Sequence, residues 1–389
     1  MRRFISYFMV FLLVFTGIGP VYAQNLRQVI VSEDNIENVA KYAVSFAETF
    51  NNKKFFSSGH VITMLDAENQ IAGFCVDILQ DGRACGYVVI KFSRNQPIIS
   101  EFCFEAEAKN PFDAKIDYYR IGSDNLIFYS IGANEYQVYD RSSKIAYGDF
   151  NEVMTDKEFD AFKTESLTYR SERELLDGAL DSHRLSGETV GFTSLDGWSV
   201  VSDSYTGTVK SSKTIVGAIT RANYCSKTVR NNGLTYACSV VALSNLMKYL
   251  RSRGFTKISG DFKTLYNELW KCAETSSTGS TSNGNEPKAA KKYLQNKGYS
   301  CNYYTISSGK NMYSSFKSAL DLNKPCIFTY GASFGGSKGG HAVFVAGYCE
   351  TSTYQYLRIA DGWNPQLRYI NFNGYNYSRM SGWSITANK

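Results

Sequence analysis

Two segments of different period constrain this chain most. Tyr236-Ala237-Cys238-Ser239-Val240-Val241 leads into apolar positions Val240, Val241, Leu243, Leu246, Met247 and Leu250, a helical repeat that starts at a cysteine. Then 103 residues later the loop Gly335-Gly336-Ser337-Lys338-Gly339-Gly340 ends at His341, and Ala342 to Tyr348 runs on as an apolar strand. A chain carrying both must pack a helix against a sheet. The expectation is an α+β architecture, with a cysteine at a helix start and a histidine at a strand start.

The flanking patterns fill in the same half. Lys248, Arg251 and Arg253 suit the negative end of the helix dipole, and Gly254 suits its C-terminal cap. A Ser/Thr/Gly-rich loop covers 274–286. A second helix is expected from Pro287 to Lys297, with Gly298 as its stop. Strands are expected over 301–306, 325–330 and 354–360, and a helix near 312–321. This is a helical front followed by an antiparallel sheet.

The first half reads differently. Residues 35–50 show a helical face, and Ala72 to Leu79 with Cys85 to Phe92 form a hairpin around Asp81-Gly82. Pro97 to Phe102 continues that sheet, and 155–178 reads as a charged helix. Residues 180–213, rich in Gly, Ser, Thr and Asp, read as a linker and processing region.

Charge divides the chain at the same place. Residues 24–200 hold 17 Lys+Arg against 28 Asp+Glu, a balance of −11, whereas 201–389 hold 23 against 8, a balance of +15. Such halves can attract each other, as an acidic inhibitor segment on a basic enzyme would, or can be two domains with unrelated surfaces. A basic half also admits nucleic acid or an anionic cell wall as a partner, but no basic-aromatic motif supports nucleic acid. At the N-terminus, Arg2 and Arg3, an apolar run from Phe4 to Phe15 and Val21-Tyr22-Ala23 form an export signal ending at residue 23. The run is shorter than the roughly 20 residues of a membrane span. The expected product is soluble and secreted, with no stable membrane insertion. Nine cysteines in an exported chain invite disulfides. Without a CxxC pair or a histidine cluster, no metal site is expected, and no cofactor is implied beyond reducing conditions for a thiol.

The chemistry follows from residue types. The unsatisfied N–H groups of a helix N-terminus favour a thiolate at Cys238. With only three histidines in the chain, His341 is the candidate base, since His60 and His183 fall in the acidic half. Asp361, in Arg358-Ile359-Ala360-Asp361-Gly362-Trp363, ends the strand that returns toward His341 and is the candidate to orient its ring; Asn364 is the alternative. Asn232, six residues before Cys238, is the oxyanion candidate together with the Cys238 N–H.

Residues 232–364 resemble the papain-fold peptidases of bacterial export. Cys238 with its helix is similar to their nucleophile helix, and Gly340-His341-Ala342 to the Gly-His-Ala strand of streptopain and staphopain. Asp361-Gly362-Trp363 resembles the Asp-x-Trp element of the C39-like kind, with Asn232 where glutamine is usual. Gly86 to Ile90 followed by Pro97-Ile98-Ile99 resembles the streptopain-type propeptide sheet. The resemblance implies a papain-like cysteine peptidase domain over 201–389, acting on protein or peptide substrates. It also implies that 24–200 is a propeptide which inhibits its own enzyme, released by a cut between about 170 and 215. Two other readings remain open. One is a cell-wall amidase or endopeptidase of the CHAP or NlpC kind, and the other a non-catalytic binding or inhibitor protein on a papain fold.

Overall fold

The computed structural model describes residues 33–93, 96–132, 135–148, 152–177, 205–215, 223–282, 284–309, 311–331, 340–372 and 378–389. The expected export signal, His183, most of the 180–213 stretch and the loop up to Gly339 lie outside the described residues.

The first half opens with helix α1 (Glu33–Asn51), followed by strands β1 (Phe56–Leu65), β2 (Ile71–Gln80), β3 (Arg83–Ser93) and β4 (Gln96–Cys103). Val39, Ala43, Phe46 and Ala47 bury one stripe of α1, the spacing that a helix on a sheet requires. Asp81 and Gly82 both take positive φ, which turns β2 tightly into β3. Helix α2 (Pro111–Tyr119) is capped by Asn110, whose side chain accepts from the N–H groups of Phe112 and Asp113. Strands β5 (Leu126–Gly132), β6 (Glu135–Asp140), β7 (Ile145–Tyr147) and β8 (Val153–Thr155) lead into helix α3 (Asp156–Asp177).

The second half begins with strand β9 (Val209–Thr214), then helices α4 (Ser226–Asn231), α5 (Cys238–Ser252), α6 (Phe262–Cys272) and α7 (Asn285–Asn296). Strand β10 (Ser300–Ile306) and helix α8 (Met312–Asp321) precede strands β11 (Cys326–Gly331), β12 (Gly340–Thr351), β13 (Gln355–Ala360), β14 (Arg368–Asn371) and β15 (Ser378–Asn388). Val240, Val241, Leu243, Leu246 and Met247 of α5 pack into the core beneath β11, β12 and β13. The helical front on a mostly antiparallel sheet matches the expected α+β class.

Two expectations change. The linker ends earlier than residue 213, because β9 pairs with the second half of β12, Thr214 opposite Gly347. Polar Ser and Thr side chains hid this strand, while backbone pairing holds it. The disulfide expectation is not met: all nine cysteines are free thiols. Several donate weak bonds to separate carbonyls instead, as Cys85 to Ile78, Cys103 to Leu367 and Cys326 to Lys324.

The two halves share one hydrogen-bonded sheet. β14 pairs antiparallel with β4, Tyr369 opposite Phe102 and Ile370 opposite Glu101. The join is a common core. Phe102 stacks on Tyr369 at 4.7 Å and meets Tyr356 edge-on at 5.2 Å, with Phe46 and Phe50 of α1 against the same ring. Tyr356 Oη and Asn371 Nδ2 both donate to the Ile99 carbonyl. Ion pairs cross it at Arg358–Glu105 (2.8 Å) and Arg368–Glu101 (2.7 Å).

Candidate active site

The site is built where the start of α5 meets the start of β12. Ala237 stands at the N-cap in an extended conformation, with no side-chain cap. The first-turn N–H groups of α5 are therefore not claimed by a capping side chain, and Cys238 is the first residue to face them. The turn ahead is held from both sides. Ala237 N–H donates to Tyr266 Oη (2.9 Å), which donates to the Thr235 carbonyl (2.9 Å). Tyr236 Oη donates to the Gly362 carbonyl (3.3 Å). Gly362 sits at φ +80°, and a Cβ there would stand 2.8 Å from Tyr236 Oη, so the contact needs glycine.

Cys238 is half-buried and its Sγ lies 3.7 Å from the Gly340 carbonyl. The backbone N–H of Ala342 also bonds the sulfur. The thiol thus sits against the two residues that flank His341. Desolvation raises it above its ordinary value, opposed by the Ala342 N–H and reinforced by the negative charge of Glu286.

His341 is fully buried. Its ring lies flat on Trp363, 4.3 Å between centroids and 5° between planes, with Tyr330 edge-on at 5.6 Å. Burial first, and the charge of Arg368 second, push the imidazole down to about 3, against a hydrogen bond with the Asp361 backbone. In this form both thiol and imidazole are neutral at neutral pH.

Asp361 comes to the base as expected. β13 pairs with β12 with Ala360 opposite Phe344, and Asp361 follows at the strand end. It is the Asp361 backbone that meets His341. The carboxylate is used elsewhere: Oδ1 accepts from Trp363 N (2.7 Å) and Asn364 N (2.9 Å), and Oδ2 from Asn364 Nδ2 (3.3 Å). Arg368 Nε lies 2.9 Å from Oδ2. Asn364 therefore supports Asp361. Asn232 is at the C-cap of α4, where its Nδ2 donates to the Thr228 carbonyl (2.9 Å). The structure brings Cys238, His341 and Asp361 together and turns the Asn232 amide back on its own helix.

Three residues at the site escaped the sequence reading. Glu286, buried in the first turn of α7, accepts from Ser239 Oγ (3.0 Å) beside the thiol, and burial raises its carboxyl. Arg368 and Glu101 are the others, each buried and charged within an apolar strand. A charge in the sequences Leu367-Arg368-Tyr369-Ile370 and Ile99-Ser100-Glu101-Phe102 was the available signal.

The neutral pair gives a pH expectation. In the intact chain, iodoacetamide labelling of Cys238 should rise only as pH climbs past the ordinary thiol value of 9.0, because thiolate forms late and no imidazolium assists it. Peptide mapping of the labelled cysteine over a pH series reads this. A labelling plateau between about pH 5 and 7 would instead reveal a preformed ion pair.

Among the described residues no group of His, Cys, Asp and Glu could hold a metal ion, and no helix is long and apolar enough to cross a membrane. No curated protein matches the chain. Residues 219–384, which contain Cys238, His341 and Asp361, match the model of the Peptidase_C39 like family, and this match supports a cysteine peptidase-like domain with protein or peptide substrates.

Proposed function

We propose that the chain is an exported, papain-like cysteine endopeptidase made as an inactive precursor. The observation that carries this reading is the seat of the Cys238 sulfur, at an uncapped helix start and against the residues on either side of His341. Once the pair is ionised, the Cys238 thiolate attacks a peptide carbonyl carbon and the C=O electrons move to oxygen. The Cys238 backbone N–H and the Asn232 amide donate to that oxyanion, Asn232 first leaving the Thr228 carbonyl. His341 protonates the leaving amine, then takes a proton from water as it opens the thioester. Asp361 orients the imidazole, and Asn364 holds Asp361.

Residues 24–200 act as the inhibitory propeptide. The −11 and +15 balances and the shared core at β4 and β14 support that role. The activating cut falls between the end of α3 at Asp177 and the start of β9 at Val209. A cut inside β2–β4 would refute this division. The +15 balance of the second half also favours a cell-wall amidase or endopeptidase as a second reading. Casein and cell-wall zymograms of the processed chain separate the two. Casein clearing that disappears when a mapped thiol reagent occupies Cys238 supports the peptidase. Clearing of walls alone supports the second reading. An unlabelled, inactive Cys238 after processing leaves the non-catalytic binding protein.

A further inference from the structure

The contact between the halves that reaches deepest into the site is a chain of charges. Arg368 opens β14 and is almost completely buried. On one side its Nη1 lies 2.7 Å from Glu101 Oε1, on β4 of the first half. On the other its Nε lies 2.9 Å from Asp361 Oδ2. Its guanidinium also stands 5.1 Å from the Trp363 ring, the ring stacked on His341.

Glu101 is held as firmly as the arginine it holds. Tyr87 Oη donates to Oε1 (2.6 Å) and Tyr136 Oη to Oε2 (3.0 Å), and both tyrosines belong to the first half. Tyr136 in turn lies 5.6 Å from the Lys91 ammonium and 5.7 Å from that of Lys115. At this point the first half therefore presents a fixed carboxylate to the second, aimed at the Arg368 guanidinium. From the same side, Lys115 and Tyr118 of α2 line a cavity with Trp363, Asn364 and Arg368. Arg230 of α4 lies 4.1 Å over the Tyr118 ring. These contacts of the first half surround the 361–364 turn. Among the described residues the bonds to the Cys238 sulfur come from Gly340, Ala342 and Ser239, all of the second half.

We infer that the first half silences the site through Arg368: Glu101 clamps Arg368, and Arg368 clamps the Asp361 carboxylate that must support an imidazolium at His341. Among the described residues, restraint is thus applied to the base side of the pair, from behind. A guanidinium fixed beside Asp361 and Trp363 neutralises the Asp361 carboxylate and places a like charge against protonation of His341. When the first half leaves, Arg368 loses Glu101 and begins β14 on an open edge, free to turn to water. The buried ion pair is then a switch whose two positions differ in what Asp361 faces. This inference rests on the cysteine peptidase reading, and its test separates the two.

The readout is the rate of iodoacetamide labelling of Cys238, mapped by peptide, in the full-length uncut chain at neutral pH. Glu101→Gln removes the clamping charge but keeps the shape. Arg368→Lys keeps the charge but offers a single ammonium in place of a fork that spans both carboxylates. Each is expected to speed labelling at least about tenfold without cleavage and to move its pH midpoint downward, the size of an ordinary coupling between sites. Glu105→Gln breaks the other ion pair across the interface, Arg358–Glu105, which does not reach the site. It is expected to stay within about twofold of the parent, below the usual range of such coupling. If Glu105→Gln is as fast as Glu101→Gln, general loosening explains the effect and the inference falls. It also falls if Glu101→Gln and Arg368→Lys melt cooperatively yet label at the parent rate. Where either single variant fails to fold, the neutral double variant Glu101→Gln/Arg368→Gln takes its place, with the same expected gain. Parent chain nicked between α3 and β9 is the separate check. If nicked parent neither labels at Cys238 nor cleaves casein, the peptidase reading fails. If it does both while the clamp variants stay silent, the clamp alone is wrong.

Discussion

Cys238→Ala in the processed chain is expected to lower casein hydrolysis by at least about 10,000-fold, and His341→Ala by a similar factor. The two losses should not add. A thiol without its base is a neutral, weak nucleophile, and a base without its thiol has nothing to activate, so either deletion removes the same step. The double variant is expected to be no slower than either single one. The local structure makes this a clean experiment for Cys238, since the half-buried thiol leaves little unsatisfied when its sulfur is removed. His341 is fully buried against Trp363 and Tyr330, so alanine there leaves a cavity and costs stability as well. His341→Asn keeps more of the volume and is the better probe of chemistry. Cys238→Ala that retains full peptidase activity would remove the assignment outright.

Arg368→Leu in the intact chain is expected to destabilise it by about 3–5 kcal/mol, because breaking a buried pair leaves charge with no partner. Two carboxylates are stranded at once, Glu101 in the first half and Asp361 in the second. Glu101→Leu combined with Arg368→Leu should recover a large part of that loss, since the uncompensated Glu101 charge goes with it. Arg358→Leu is the contrast. Its pair with Glu105 is about a quarter exposed, and its removal should cost about 1 kcal/mol or less. Urea unfolding midpoints of the three variants read these differences. Equal losses for Arg368→Leu and Arg358→Leu would mean that burial at Arg368 carries no special weight.

How far the chain could be read in advance depended on how local each feature is. The stripe of α1, the Asp81-Gly82 turn and the Cys238 helix are written in neighbouring residues, and they form where expected. The repeat Phe262, Leu265, Tyr266, Leu269 makes α6 just as regular, though it was not among the expected elements. Strands β7 and β8 have three residues each, too few for any period to show. β9 is polar, and its strand character comes from β12 beside it. At the site, residue types were legible and bonds were not. Spacing put Asn232 ahead of Cys238, but a bond to Thr228 within its own turn decides where the amide points. The place of Asp361 after β13 points to it, yet the charged partner of its carboxylate is an arginine on another strand. Arg368 owes its burial to Glu101, 267 residues away, a distance over which no periodicity argues.

The join between the halves has a consequence for solubility. β14 meets β4 through the pairs Tyr369–Phe102 and Ile370–Glu101, so parting the halves uncovers two sheet edges at once. They are unequal. On one side is β14, four residues that begin with an arginine, short and charged as protected edges are. On the other is β4, eight residues whose Phe102 ring loses Tyr369 and Tyr356 together. The piece that keeps the thiol is thereby left with the shorter and more charged edge strand of the two. Self-association should fall on the piece that carries β4, which would make a separation hard to reverse.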